Sequence, residues 1–253
     1  MRRTSKEEFF AFFRQRLANL KQIEDLAPAQ KVRTAGSFNP EINVLLGVAL
    51  DALAKYWAIS RNLAFPTLAE CFGQFLATHA GHAWGKCSHL DLLGRASKEA
   101  RAASAGHHPN AQELLDPVRQ KGELCDTLHQ VLGPLVWTPS VISWTHDPDL
   151  KTLAKHARIS AAGISRDWLR RSRYGEILYR HWRSGWIHAL DPDPELLTEY
   201  HLILDPDHPP HYVLHNHARV LAIPTEFILA SFERALRAFE AEIADGAQMA
   251  LEA

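Results

Sequence analysis

Residues 42–59 form an apolar run interrupted only by Asn43, Asp51 and Lys55. Just ahead of it stands Asn39-Pro40-Glu41. That triplet supplies a side chain to cap a helix, a proline where no backbone N–H is needed, and an acid at the positive helix end. The pattern predicts a helix over 39–60. A helix that is apolar on nearly every side belongs at the centre of a bundle. Its three polar residues favour a core helix over a membrane span. The other helices must therefore be amphipathic and wrap around this one.

The rest of the chain supplies such segments. Phe9, Phe10, Phe12, Phe13, Leu17 and Leu20 recur at helical spacing over 5–26, ahead of Pro28. A third helix follows Pro66, with Leu68, Cys71, Phe72, Phe75 and Leu76 on one face. The pattern over 81–109 is weaker, although 90–105 can be helical, and 113–132 reads as a helix closed by Gly133-Pro134. Residues 135–144 have strand-like composition broken by Pro139 and are read as an extended connector. A long helix is expected over 165–190, from Ser165 as N-cap to a stop at Asp191-Pro192. The period then changes. Residues 200–204 and 211–221 read as two strands around the polar turn Asp-Pro-Asp-His-Pro-Pro, an insertion over 199–222. The last helix, over 224–244, starts at Pro224-Thr225-Glu226 and points Phe227, Ile228, Ser231, Phe232, Leu236 and Phe239 inward. The expectation is a mainly α fold in one domain over 1–253: an N-terminal helix within 1–38, a bundle over 39–190, and a small β-hairpin inserted before the last helix. A chain of 253 residues can bury a substantial core.

Charge narrows the function classes. Lys+Arg total 28 against Asp+Glu 29, so no overall positive field steers the protein onto nucleic acid. A local patch must do so. Over 158–183 stand seven arginines (158, 166, 170, 171, 173, 180 and 183) against Asp167 and Glu176, a local net of +5. Such a segment is suited to tracking a phosphate backbone. Trp168, Tyr174, Tyr179, Trp182 and Trp186 are interleaved with it and can stack on bases wherever their rings are exposed. The three cysteines, Cys71, Cys87 and Cys125, are odd in number and irregularly spaced, which implies reduced thiols and a cytoplasmic setting. The N-terminus lacks the unbroken apolar stretch of a signal peptide.

At the end of the basic segment, Arg183 and His188 lie five residues apart. A guanidinium can hold a phosphate through two parallel hydrogen bonds, and imidazole moves a proton near neutral pH. On a regular helix, positions i and i+5 differ by about 140°. Gly185 between them and the length of arginine ease that separation, and His181 shares nearly the angular position of His188. Asp51, aligned with Val44 and Val48 in the apolar helix, is costly there unless paired. Two readings stand side by side: Asp51 orients Arg183 through a two-pronged contact, or it is a partly exposed residue bonded to any nearby arginine.

The phrase Leu-Tyr-Arg-His-Trp-Arg-Ser-Gly-Trp-Ile-His-Ala over 178–189 is similar to the Arg-x4-6-His helix of the HEPN superfamily. In that helix, arginine is followed by a polar residue, a small residue, two apolar residues and histidine. Leu-Leu-Gly-Val-Ala-Leu-Asp-Ala-Leu-Ala over 45–54 resembles the helix that precedes it in those domains. The resemblance covers about 40–190 and the last helix, and is carried by these two segments. It implies a HEPN-like helical bundle acting as a metal-independent endoribonuclease. His188 would serve as general base or acid, Arg183 would hold the scissile phosphate, and Ser184 would add a weaker hydrogen bond. Arg180, His181 and Asp51 would bind RNA or support the site. Ser184 departs from the pattern, since catalytic members more often carry Asn, Asp or His there. The family's habits further imply a homodimer with the cleft between two chains, and a toxin or anti-phage defence setting with an antitoxin or defence partner. The alternative is a non-catalytic HEPN-like module that binds nucleotide or a partner protein.

No metal or cofactor is expected. His215-Asn-His217 would place two imidazoles on one strand face, within a cluster that includes His201, His208 and His211, but no fourth-ligand pattern completes a zinc site. His79, His82, Cys87 and His89 have no zinc spacing either. The nucleophile elbow, the P-loop and the dinucleotide-binding fingerprint do not occur. No membrane partner is expected.

Overall fold

The computed structural model describes residues 5–26, 40–105, 115–132, 142–143, 147–183, 196–197, 210–215 and 218–244. The apolar run forms α2 (Pro40–Ser60). Around it pack α1 (Lys6–Leu26), α3 (Leu68–His79) and α10 (Thr225–Ala244). The helical periods predict these contacts. Phe9, Phe10, Phe13, Leu17 and Leu20 of α1 are buried, as are Phe227, Ile228, Ser231, Phe232, Leu236 and Phe239 of α10. Their rings interlock edge to face: Phe10 meets Phe239 with centroids 5.6 Å apart, and Phe75 of α3 meets Phe239 at 6.1 Å. Thr67 caps α3, its hydroxyl accepting the Glu70 N–H at 3.2 Å.

The apolar helix is less enclosed than expected. By length and composition Ile42–Ser60 could cross a membrane, and 61% of that stretch is buried in the fold. Leu45, Val48, Tyr56 and Ile59, however, form an open stripe, with Ile59 54% exposed. Leu68 on α3 and Phe12 on α1 also face solvent.

A second core gathers Cys87, Leu92, Ala96, Leu128, Leu150, Leu153, Ile159 and Leu169. Apart from Cys87, which stands just ahead of α4, these come from α4 (His89–Ala105), α5 (Leu115–Leu132) and three short helices, α6 (Leu150–Ala154), α7 (Ala157–Ala161) and α8 (Arg166–Arg170).

The long helix expected over 165–190 is broken. Ser165 caps α8 as predicted, its hydroxyl accepting Trp168 N–H at 3.1 Å. The chain then leaves the helix at 171–173 and re-enters as α9 (Tyr174–Ile177), which continues as a π-helical turn over Leu178–Arg183. The break has a tertiary cause. Ser172 carbonyl accepts Ser88 N–H at 2.8 Å, and Tyr174 N–H donates to the Lys86 carbonyl at 3.0 Å. These backbone groups serve segment 86–88 instead of a continuous helix.

The β-structure also departs from expectation. The hairpin is β3 (His211–His215) with β4 (Ala218–Ala222), antiparallel, His215 opposite Ala218. Both strands come from the stretch read as one. The sheet also recruits β1 (Ile142–Ser143), antiparallel to β3, and β2 (Leu196–Leu197), parallel to β4, in the order β1-β3-β4-β2. The connector over 135–144 thus contributes a strand after its proline. The strand expected over 200–204 lies outside the described residues.

All three cysteines are free thiols. Burial pushes the Cys71 thiol up to about 11 and raises that of Cys87 further. Their sulfurs point at the Ala54 and Leu169 carbonyls. Cys125 is only half-buried. Because thiolate is the reactive form, a thiol reagent at neutral pH should modify Cys125 fast in the native protein and the other two only after denaturation. Three equally fast sites would contradict this burial.

Candidate functional site

The π turn presents Arg183 to α2. Its Nη2 donates to Asp51 Oδ2 at 3.0 Å, so the acid embedded in the apolar helix meets the arginine of the sequence motif. The contact is one-pronged, unlike the two-pronged contact of the first of the two readings of Asp51. Lys55, one turn along α2, shares the same oxygen at 3.0 Å. The Arg183 guanidinium also lies 5.1 Å from the centre of the Tyr179 ring, a cation–π distance. Its side chain is 18% exposed, so it is neither sealed inside nor free in solvent. π-helical turns are rare and often occur at functional sites, because the wider turn re-aims the side chains that follow.

The remaining motif residues divide. Arg180 leaves the turn in another direction, its Nη2 donating to the Arg171 carbonyl and its Nε to the Glu176 carbonyl at 3.4 Å. His181 is half-buried on the same turn. Ser184, His188 and Trp186 lie outside the described residues, as do His201, His208, His217, the side chain of Trp182 and the end of the expected helix.

The basic segment is more neutralised than its composition implies. Arg170 pairs with Glu176 at 3.0 Å and Glu70 at 3.2 Å. Arg173, 3% exposed, pairs with Glu176 at 3.2 Å and donates to Gln74 at 2.8 Å. Burial raises the Glu176 pKa, against the opposing pull of Arg173 and Arg170. These three groups hold α9 against α3. The interleaved rings are similarly occupied. Tyr174 and Tyr179 are buried and offer no face for a base, and Trp168 carries Arg95 on its ring at 4.1 Å.

The most connected polar cluster is one that spacing does not reveal. Asp147 is 1% exposed. One carboxylate oxygen accepts the His89 backbone N–H at 3.0 Å and the His89 Nδ1–H; the other accepts the hydroxyls of Tyr174 and Tyr212. Ser88 Oγ lies 3.0 Å from the Tyr212 hydroxyl, and His89 Nε2 faces the Leu132 carbonyl at 3.4 Å. An ionised carboxylate has about four lone-pair sites, and here each has a donor. Burial, then neighbouring acidic groups, hold both phenols well above the ordinary tyrosine range, so they stay protonated as donors. With every member buried, the cluster works as a clamp between the two cores. Its residues span 88 to 212 and carry no motif spacing, so only folding brings them together.

His79 packs among Trp57, Phe75 and Phe239, whereas His89 belongs to the Asp147 clamp. Among the described residues no three histidine, cysteine or acidic side chains gather as metal ligands. Comparison of the chain with protein-family models, with curated proteins and with solved structures finds no match.

Proposed function

We propose that the protein is a HEPN-like, metal-independent endoribonuclease, working as a homodimer in the cytoplasm, in a toxin or defence setting with a partner protein. The observation that carries this reading is the placement of Arg183: at the end of a π turn, anchored on Asp51 and still partly open to solvent. In the proposed reaction the His188 imidazole takes the proton of a ribose 2′-OH. The 2′-oxygen then attacks the adjacent phosphorus, the P–O5′ bond breaks, and the 5′-oxygen leaves with a proton. The products are a 2′,3′-cyclic phosphate and a free 5′-hydroxyl. Arg183 neutralises the phosphate as its charge builds, with Ser184 adding a weaker hydrogen bond and Arg180 and His181 supporting the RNA.

The test is cleavage of single-stranded RNA in EDTA. His188→Ala is expected to lower the rate by ~10²–10⁴, the usual worth of a general acid or base. Arg183→Ala is expected to lower it by ~10²–10³. RNA left intact by the folded wild-type protein would end this reading. The second reading, a non-catalytic module binding nucleotide or a partner, draws support from the same ion pair, since a guanidinium already neutralised by Asp51 is less available to a phosphate. Binding without cleavage, weakened by salt, is its expected signature.

A further inference from the structure

The break between α8 and α9 brings three guanidiniums to one turn. Arg95 reaches it from α4, and its Nη1 donates to Ser172 Oγ at 2.8 Å. Arg180 reaches it from the π turn and donates to the Arg171 carbonyl. Arg171 itself stands on the turn with an exposed side chain. Arg95 and Arg180 therefore flank consecutive residues from opposite sides in sequence.

One feature marks this turn as unlike the neutralised network beside it. Among the described residues the hydrogen bonds of Arg180 go to carbonyl oxygens, which do not neutralise its charge. Arg95 is clamped against Trp168, and its Nη2, like the Nε of Arg170 and Arg173, is shielded from water with no hydrogen-bond partner among the described residues. A buried donor without an acceptor is costly. The opposing acids are occupied: Asp91, 3.7 Å from Arg95, takes the Ser172 hydroxyl at 2.5 Å, and Glu99 takes the Trp168 indole N–H at 2.7 Å. Three guanidiniums against two carboxylates leave a net of +1. The arginines also sense one another. Burial lowers the Arg95 pKa, Asp91 opposes that, and Arg180 and Arg171 lower it further.

We infer that Arg95, Arg171 and Arg180 form a binding site for a phosphate group, carried by a nucleotide or by an RNA backbone, separate from Arg183. Guanidiniums arriving from α4, from the turn and from the π turn suit a tetrahedral oxyanion better than a flat carboxylate, and arginine forks match phosphate oxygens. The site shares Arg180 with the RNA-supporting residues of the nuclease reading but goes beyond that reading, because it requires no cleavage.

The test is calorimetric titration of the full chain with inorganic phosphate, a 5′-mononucleotide, the uncharged nucleoside and a single-stranded RNA. Phosphate and mononucleotide should bind and the nucleoside should not. Arg171→Gln, at an exposed position that leaves the fold intact, should weaken binding about tenfold, as expected for a lost charged hydrogen bond. Arg95→Gln should do at least as much. Arg166→Gln, an exposed arginine on α8, should change nothing, and Arg183→Ala should retain phosphate binding even where RNA cleavage is lost. RNA binding far more tightly than the mononucleotide, with the same loss in Arg171→Gln, would identify the backbone as the source of the phosphate. Equal affinities would identify the free nucleotide. No saturable binding of any phosphate, or binding indifferent to both Arg171→Gln and Arg95→Gln, overturns the proposal.

Discussion

Asp147→Ala is expected to destabilise the protein by about 3–5 kcal/mol, since it leaves several buried donors unsatisfied at about 1–3 kcal/mol each. The substitution strips the acceptor from His89 N–H, His89 Nδ1–H and the Tyr174 and Tyr212 hydroxyls together, all inside the fold. None of these donors has water to turn to, and orphaned buried donors carry their full desolvation penalty. For a chain of this size the loss corresponds to a fall in Tm of about 6–20 °C. Urea unfolding checks it. A change below about 1 kcal/mol, the worth of one ordinary hydrogen bond, would show that Asp147 is not the clamp between the two cores. Tyr212→Phe removes a single donor and should cost much less, about 1 kcal/mol.

Gly175→Ala is expected to destabilise by about 3 kcal/mol, the upper end for overpacking a close contact. A Cβ built on Gly175 would lie 2.7 Å from Gly73 Cα and 3.2 Å from its carbonyl oxygen, so backbone meets backbone and no side chain can swing away. Alanine's better helix propensity, worth about 1 kcal/mol over glycine, offsets only part of this. The contact fixes how closely α9 approaches α3 and thereby where the π turn delivers Arg183, so under the proposed function RNA cleavage or binding should fall with stability. Gly94→Ala provides the contrast. A Cβ there meets nothing within 4 Å, and in the exposed middle of α4 it should stabilise by up to about 1 kcal/mol. Equal denaturation midpoints for wild type and Gly175→Ala would refute the close-packing argument.

The candidate site was only partly legible. Asp51 stood out because a carboxylate in an apolar helix demands a partner, and Arg183 was conspicuous as the arginine ahead of a histidine. Their 3.0 Å contact joins residues far apart in the chain and depends on α2 and the π turn lying together. Local charge misled for a physical reason: a count of seven arginines over 158–183 cannot see that Glu70, from α3, comes to meet Arg170. Nor does it separate Arg173, clasped by Glu176 and Gln74, from Arg171 on the surface.

What the sequence by itself determined is the set of helices and their inward faces. Apolar period, caps such as Thr67 and Ser165, and proline starts are local and act within a few residues, so α1, α2, α3 and α10 follow from them. The tertiary structure alone decided where the long basic helix breaks, how the 211–222 stretch folds back on itself, and which acid is buried among His89, Tyr174 and Tyr212. The helix break depends on backbone bonds lent to segment 86–88, the fold-back on strand pairing that also draws in β1 and β2, and the buried acid on partners 27 to 65 residues from Asp147. A local pattern carries no record of such distant partners; they meet only when the two cores close on each other.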